Sequence, residues 1–252
     1  MKKMRGFSVI GVIIAVVVVV IIAIGAYFVI DGNNKATDFS KYDFNSVIAP
    51  DSSNGNIGDH VKGDPNAPVL IFEYADYQCP GCAAINPRVN KIIEQLDGKL
   101  ALVYRSFILS YHQNGTAAAS AVEAAGLQGY WKPYADKVFA EQAEWESASA
   151  SERTELFDKY FTEVTGGKGD IEKFNQDIAS EAVSKKISFD MGVAKRVDVQ
   201  ATPAFYIDGQ WIMWSEAGSV EVNGKTISWD SARNGDDFSK LIKDIVEAKL
   251  AE

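Results

Sequence analysis

The motif Cys79-Pro80-Gly81-Cys82 contains the only two cysteines of this 252-residue chain. An apolar run at residues 69–72 precedes the motif, and a helical pattern over residues 83–93 follows it. Backbone N–H groups and the helix dipole at a helix N-terminus stabilise a thiolate on the first cysteine. The second cysteine, one turn further along, is then placed to attack a mixed disulfide that the first has formed. The spacing therefore indicates thiol redox chemistry.

A zinc site and a structural disulfide are the two other interpretations of the cysteine pair. A zinc site needs four ligands, and the rest of the chain offers only His60 and His112 as further soft donors. A purely structural disulfide would close a very short loop and would constrain the unfolded chain little. We therefore favour a reversible disulfide between Cys79 and Cys82, with no bound cofactor and no metal.

The amino-terminal segment has the pattern of a membrane anchor. Lys2, Lys3 and Arg5 precede residues 7–30, which contain no charged side chain. At about 1.5 Å per residue, a helix of that length spans a bilayer core. The positive charges predict that residues 1–6 stay in the cytoplasm.

A cleaved signal peptide, with a cleavage site at Ala23-Ile24-Gly25, is the alternative to a retained anchor. We favour the anchor because the apolar run is unusually long for a signal peptide. Either interpretation predicts that the cysteines act outside the cytoplasm, at a bacterial cell surface or in a periplasm, where disulfides persist.

Composition narrows the choice of partners. The formal net charge of −9 argues against binding to nucleic acid.

Residues 31–58 are mostly polar and predict a linker with little fixed structure. The remaining residues, 59–252, are numerous enough for one large domain or for a domain with an insertion.

Apolar periodicity predicts the elements that position the motif. Strands are expected at residues 69–74 and 100–107 on either side of the helix that begins at the cysteines. Helical spacing then runs from 116 to 195. Asp208-Gly209 predicts a tight hairpin within residues 204–214, and a second hairpin around Asn223-Gly224 and a helix over 237–250 complete the chain. The predicted order is β-α-β, a block of helices, then a hairpin and a helix.

Three blocks of the sequence resemble the DsbA-type thiol–disulfide oxidoreductases of the thioredoxin superfamily, and more narrowly their membrane-anchored forms. The blocks are residues 63–69 (GDPNAPV), 73–82 (EYADYQCPGC) and 201–209 (ATPAFYIDG). The resemblance extends from about residue 59 to the C-terminus. It implies a thioredoxin-like α/β fold with an inserted helical domain at about residues 115–196, here preceded by the N-terminal transmembrane helix.

The resemblance also implies roles for single residues. Cys79 would be the exposed nucleophile and Cys82 the buried resolving thiol, while Pro80 and Gly81 would set the tightness of the loop. Some strongly oxidising members carry a histidine in place of Gly81, so this chain is expected to be less oxidising than they are. Residues 214–229 have no counterpart that we recognise in the family.

Thr202-Pro203 matches the family's cis-proline, which would face the disulfide, with the Thr202 backbone free to pair with a substrate strand. The alternative is an ordinary turn at a strand entry. Glu73 is a charged residue within an apolar strand, where burial is costly without a partner or a function. The family carries an acid at this offset that exchanges a proton with the residue matching Cys82. An exposed glutamate on an edge strand is the alternative.

These observations predict an anchored, extracytoplasmic oxidase that passes its disulfide to reduced, newly exported proteins through a mixed disulfide at Cys79. The resemblance implies a membrane partner that reoxidises the pair and is linked to quinone. A disulfide reductase or isomerase is an alternative within the same chemistry, and a binding or chaperone module without turnover is an alternative of another class. We expect a monomer.

Overall fold

The computed structural model describes residues 37–212, 214–232 and 235–251. The predicted cytoplasmic terminus and anchor, residues 1–6 and 7–30, lie outside these ranges, as does the start of the predicted linker. Within the described ranges, no helix combines the length and the apolar character needed to cross a membrane.

A five-stranded sheet with the order β1-β3-β2-β4-β5 lies at the centre of the fold. Its strands are β1 (His60–Lys62), β2 (Val69–Ala75), β3 (Leu100–Ser106), β4 (Ala204–Ile207) and β5 (Gln210–Ile212). Strands β2 and β3 run parallel, whereas the other neighbouring pairs are antiparallel. Because β2 occupies the middle of the sheet, six of its seven residues are buried. Its C-terminal end delivers the chain to the two cysteines.

Eight helices are described, and the fold matches the predicted thioredoxin-like α/β class. They are α1 (Pro80–Gln95), α2 (Gly115–Gly126), α3 (Trp131–Ala140), α4 (Gln142–Trp145), α5 (Ala150–Thr165), α6 (Ile171–Ile178), α7 (Glu181–Arg196) and α8 (Gly235–Leu250). Helices α1 and α8 share a core with one face of the sheet, through side chains such as Ile71, Leu102 and Phe205. Helix α7 covers the opposite face.

Helices α2 to α7 occupy the interval between β3 and β4 in which we predicted an insertion. The side chains of Tyr134, Trp145, Tyr160 and Phe174 are fully buried there. Side-chain caps fix where three of these helices begin. Ser149 forms a capping box with Glu152 at the start of α5, and the side chains of Asp170 and Ser180 cap α6 and α7. The insertion is therefore a packed helical unit whose aromatic side chains share one core with a face of the sheet.

Residues 39–58 differ from the predicted flexible linker. Two short 3₁₀ helices, Phe39–Lys41 and Ser52–Asn54, lie in this segment, and Ile48 is buried. The segment packs on the face of the sheet that α7 also covers, where Phe39 stacks on Phe189 at 5.3 Å. The expectation of a linker reaching residue 58 was wrong, because the aromatic side chains of this segment complete the second core.

A buried arginine on β3 fastens this segment to the sheet. The Arg105 guanidinium donates hydrogen bonds to the carbonyl oxygens of Phe44 (2.9 Å) and Ser46 (3.0 Å). It also forms a salt bridge of 2.7 Å with Asp59, whose carboxyl is buried as well. Since a buried guanidinium needs both charge and hydrogen-bond partners, residues 39–59 form part of the domain.

The second predicted hairpin forms a separate two-stranded sheet of β6 (Gly218–Val222) and β7 (Lys225–Trp229). Its turn contains Asn223 and Gly224, both with positive φ angles, as a tight two-residue hairpin requires. The Gln210 side chain joins the hairpin to β5 through two hydrogen bonds with the Glu221 backbone.

Candidate active site

The two cysteines lie at the N-terminus of α1, directly after β2. Cys79 is the N-cap residue with an extended backbone, and Pro80 takes the first helical position, where a missing N–H costs nothing. Both cysteines are free thiols. Cys82 is completely buried, whereas Cys79 retains 7% exposure. The more accessible of the two cysteines is therefore the one predicted to be the nucleophile.

The environment stabilises a thiolate on Cys79 and opposes one on Cys82. A hydrogen bond with the Cys82 thiol is the main cause that lowers the pKa of Cys79 to about 5, and the backbone N–H groups of Cys82 and Gly81 contribute. Burial opposes this shift. Burial also raises the pKa of Cys82 well above its ordinary value, and the neighbouring Cys79 adds to that shift. The pair therefore holds one ionised and one neutral sulfur at neutral pH.

The loop that carries Thr202 and Pro203 faces the cysteines. The peptide bond between them is cis, as the resemblance implied, and the thiol of Cys79 lies 3.4 Å from the Thr202 carbonyl oxygen. A Cβ added to Gly81 would lie 3.3 Å from Pro203 Cδ and 3.6 Å from Cys79 Sγ. The Trp214 indole donates to the Pro203 carbonyl oxygen at 3.3 Å. Residues distant in sequence thus meet around the Cys79 sulfur.

Glu73 lies in the central strand and is only 2% exposed, which excludes the alternative of an exposed edge residue. Burial raises the pKa of its carboxyl to about 7, against the opposing effect of Lys62. Glu73 also contributes to raising the pKa of Cys82, so the two groups interact electrostatically. A carboxyl with a pKa of about 7 exchanges protons readily at neutral pH.

Lys62 is a buried charge that the sequence did not reveal. Its ammonium donates to Asn86 Oδ1 at 2.5 Å and lies 3.6 Å from the Asp136 carboxylate. Asn86 and Asn90 of α1 both donate to the same Asp136 oxygen at 2.9 Å. Burial lowers the pKa of Lys62, while the two carboxylates, Glu73 and Asp136, oppose that shift. A lysine on a three-residue strand gives no sequence signal of burial.

Asp76 organises the turn before Cys79. Its carboxylate is buried and accepts hydrogen bonds from the backbone N–H groups of Gln78 and Leu109, both at 2.9 Å. His112 Nδ1 lies 2.7 Å from the same carboxylate. His112, which the sequence offered only as a further soft donor for zinc, thus lies against the carboxylate that holds the turn before Cys79. A lone histidine in a loop carries no signal of such a partner.

The second histidine, His60, lies 2.7 Å from the Glu123 carboxylate and stacks on Trp131. Among the residues that the structure describes, no group of three or more His, Cys, Asp or Glu side chains is arranged to hold a metal ion.

The chain is similar to a known protein family and to solved structures of the same fold. The family model Thioredoxin_4, described as thioredoxin, matches residues 55–244. The fold is similar to oxidised BdbD from Bacillus subtilis, with a TM-score of 0.57 and 19% identity, over 81% of this chain and 100% of that one. It is also similar to α-DsbA1 from Wolbachia pipientis, with a TM-score of 0.56 and 24% identity, over 77% of this chain and 93% of that one. The predicted thioredoxin-like fold is confirmed, and these two solved structures share it.

Curated proteins described as Na(+)/H(+) antiporters are similar to part of this sequence. The Na(+)/H(+) antiporter NhaA 1 of Mycolicibacterium gilvum is 33% identical over 155 residues, which are 60% of this chain and 24% of the antiporter. NhaA of Herminiimonas arsenicoxydans is 30% identical over 177 residues, 70% of this chain and 26% of that protein. The chain thus spans about a quarter of the length of these relatives.

Proposed function

This chain belongs to the Thioredoxin_4 family, and on that premise we propose that it is a thiol–disulfide oxidoreductase that oxidises exported proteins. The observation that carries the proposal is the pairing of a Cys79 thiol of pKa about 5 with a buried, neutral Cys82 at a helix N-terminus. A thiolate of such low pKa is a good leaving group, and its stability favours the reduced form of the protein. A protein that is stabilised when reduced acts as an oxidant.

The reaction begins from the disulfide between Cys79 and Cys82. A substrate thiolate attacks Cys79 Sγ, so that a mixed disulfide forms, the Cys79–Cys82 bond breaks, and the electron pair leaves on Cys82, which takes a proton. A second substrate thiolate then attacks the substrate sulfur of the mixed disulfide and releases Cys79 as a thiolate. The substrate loses two electrons and gains a disulfide, and the protein holds two reduced cysteines.

The surrounding residues support these steps in distinct ways. Glu73, with a pKa of about 7, supplies the proton that Cys82 takes up and recovers it on reoxidation. The Thr202 backbone, on the loop that faces Cys79, pairs with the extended substrate chain. Pro203 holds that loop against Gly81, and Pro80 begins the helix whose N–H groups stabilise the thiolate.

The setting of the reaction is also part of the proposal. The predicted anchor at residues 7–30 would keep the domain at the outer surface of the cell membrane, where unfolded exported proteins emerge. A quinone-linked thiol oxidase in that membrane would accept the two electrons and regenerate the disulfide. We propose a monomer as the working form.

The test is the equilibrium of the full-length chain with a series of glutathione buffers, followed by trapping of the free thiols. We expect half-reduction in far more oxidising buffers than thioredoxin requires, whose potential is about −270 mV. Half-reduction near thioredoxin's potential would instead identify a reductase. Binding of a reduced substrate without its oxidation, unchanged by Cys79→Ser, would show a binding module, since a thiol-exchange enzyme oxidises its substrate and loses turnover with that sulfur.

A further inference from the structure

The helical insertion reaches the catalytic turn through amide side chains. Gln142, the first residue of α4, donates through Nε2 to the carbonyl oxygens of Tyr77 (2.7 Å) and Cys79 (3.1 Å). Gln78 extends from the turn in the opposite direction, and its Nε2 donates to the Glu146 carbonyl oxygen at 2.8 Å. Hydrogen bonds from a side chain of the insertion and from a side chain of the turn therefore join the two segments.

Gln142 is held firmly enough to fix what it binds. It is 8% exposed, so its amide has few competing water partners. The same short helix carries Trp145, which is completely buried and donates through its indole to the Val138 carbonyl oxygen at 2.9 Å. Beyond α4, the Asn114 side chain donates to three backbone carbonyl oxygens, those of Trp145, Glu146 and Ala148, each at 3.1 Å.

The two carbonyl oxygens that Gln142 binds flank the Gln78-Cys79 segment. The Cys79 carbonyl belongs to the peptide group shared with Pro80, which has no N–H to anchor that group from the other side. The same carbonyl accepts the Ala83 N–H at 3.1 Å as the first hydrogen bond of α1. Rotation of this peptide group would move the Cys79 sulfur relative to the N–H groups of Gly81 and Cys82.

We propose that Gln142 is a positioning residue for the redox reaction, because its two hydrogen bonds keep the Cys79 sulfur aligned with its donors at the start of α1. This inference rests on the proposed function and extends it to a residue of the insertion. Gln142 acts through the backbone, and it contributes no charge to the site. The insertion therefore helps to determine how oxidising the cysteine pair is.

The test compares Gln142→Met with Gln128→Met in the full-length chain. Both substitutions keep side-chain length and remove an amide that bridges to distant backbone, since Gln128 bonds the N–H and carbonyl of Asp170 at 2.9 Å, outside the catalytic site. Thiolate absorbance gives the pKa of Cys79, and glutathione equilibria give the potential.

For Gln142→Met we expect the pKa of Cys79 to rise by about one unit, the shift produced by losing about one hydrogen bond of net stabilisation. The equilibrium constant for oxidation of glutathione should fall about tenfold, equivalent to about 30 mV. Gln128→Met should leave both quantities unchanged. Equal pKa values and potentials in Gln142→Met and the unmodified chain would overturn the inference, whereas an unmodified chain that does not exchange with glutathione would overturn the proposed function.

A measurement on the unmodified chain covers the case in which Gln142→Met does not fold. The side-chain amide resonances of Gln142 should shift with a midpoint equal to that of Cys79 as the reduced protein is titrated, while those of Gln128 should not. Gln142 resonances that stay constant through the Cys79 transition would contradict the inference.

Discussion

The ionised Cys79 should make the stability of the reduced protein depend on pH, with a sign that the structure sets. Its pKa is lowered on folding, from 9.0 to about 5. A group with a lowered pKa stabilises the fold fully above its unfolded pKa and loses that contribution as the pH falls through its folded pKa. Acidification from pH 7 to pH 4 should therefore destabilise the reduced protein through this residue.

The magnitude follows from the same two pKa values. A pH of 7 is about two units above the pKa of the folded thiol, so the ionised Cys79 contributes about 2.7 kcal/mol to the free energy of unfolding. At pH 4 almost none of this contribution remains. Solvent at the open side of Cys79 screens part of the interaction, so we expect a loss of about 1 to 2.5 kcal/mol.

Urea denaturation of the reduced protein at pH 7 and pH 4 measures the effect, with reduced Cys79→Ala as the control. The control is needed because Glu73 changes in the opposite direction: burial raises its pKa to about 7, so its protonation below pH 7 stabilises the fold. Subtracting the free energies of unfolding of the two proteins removes that contribution. A difference that is the same at pH 7 and pH 4 would refute the assignment of a stabilised thiolate to Cys79.

Two further changes test the surroundings of the site. In Lys62→Met the pKa of Glu73 should rise above about 7, because the ammonium that lowers it is gone. The pH dependence of mixed-disulfide formation, the step in which Glu73 protonates Cys82, should then move upward by about one unit. An unmoved profile would exclude this coupling. A chain beginning at Asp59 should have a free energy of unfolding about 3 kcal/mol or more below that of one beginning at Thr37, since it loses the buried Ile48 and two acceptors for Arg105. Urea denaturation measures this, and equal midpoints would show that residues 39–58 do not contribute to stability.

The fold and the cysteine site were predictable because their signals are local. Strand β2 begins with the apolar run at residues 69–72, and the Asp208-Gly209 turn predicts the β4–β5 hairpin. Two cysteines at a strand-to-helix junction indicate redox chemistry by their spacing alone. The burial of Glu73 was also predictable, since a charge within an apolar strand demands an explanation. Each of these features is encoded within about ten neighbouring residues.

The remaining features depend on contacts between distant residues. Phe39 and Ile48 lie in a segment without the periodicity of a strand or a helix. The segment is ordered because these side chains pack in the core that α7 forms with the sheet, and because Arg105 donates hydrogen bonds to its backbone. Lys62 and Gln142 are polar residues in short elements, and sequence reasoning treats such residues as solvated. Lys62 is buried by its contacts with Asn86 of α1 and Asp136 of α3, and Gln142 by its hydrogen bonds to the turn before α1. No local pattern records these contacts between distant residues.

The closeness of Gly81 to Pro203 has a consequence for attempts to retune this protein. Any side chain introduced at position 81 would crowd the proline ring, so the loop across from it would have to retreat by a few tenths of an ångström. A mutant library that randomises only the dipeptide between the cysteines therefore samples variants whose opposing loop is displaced. Selection for an altered potential should randomise residues 80–81 together with 201–204, because the two loops share one small volume and the best pairs will covary.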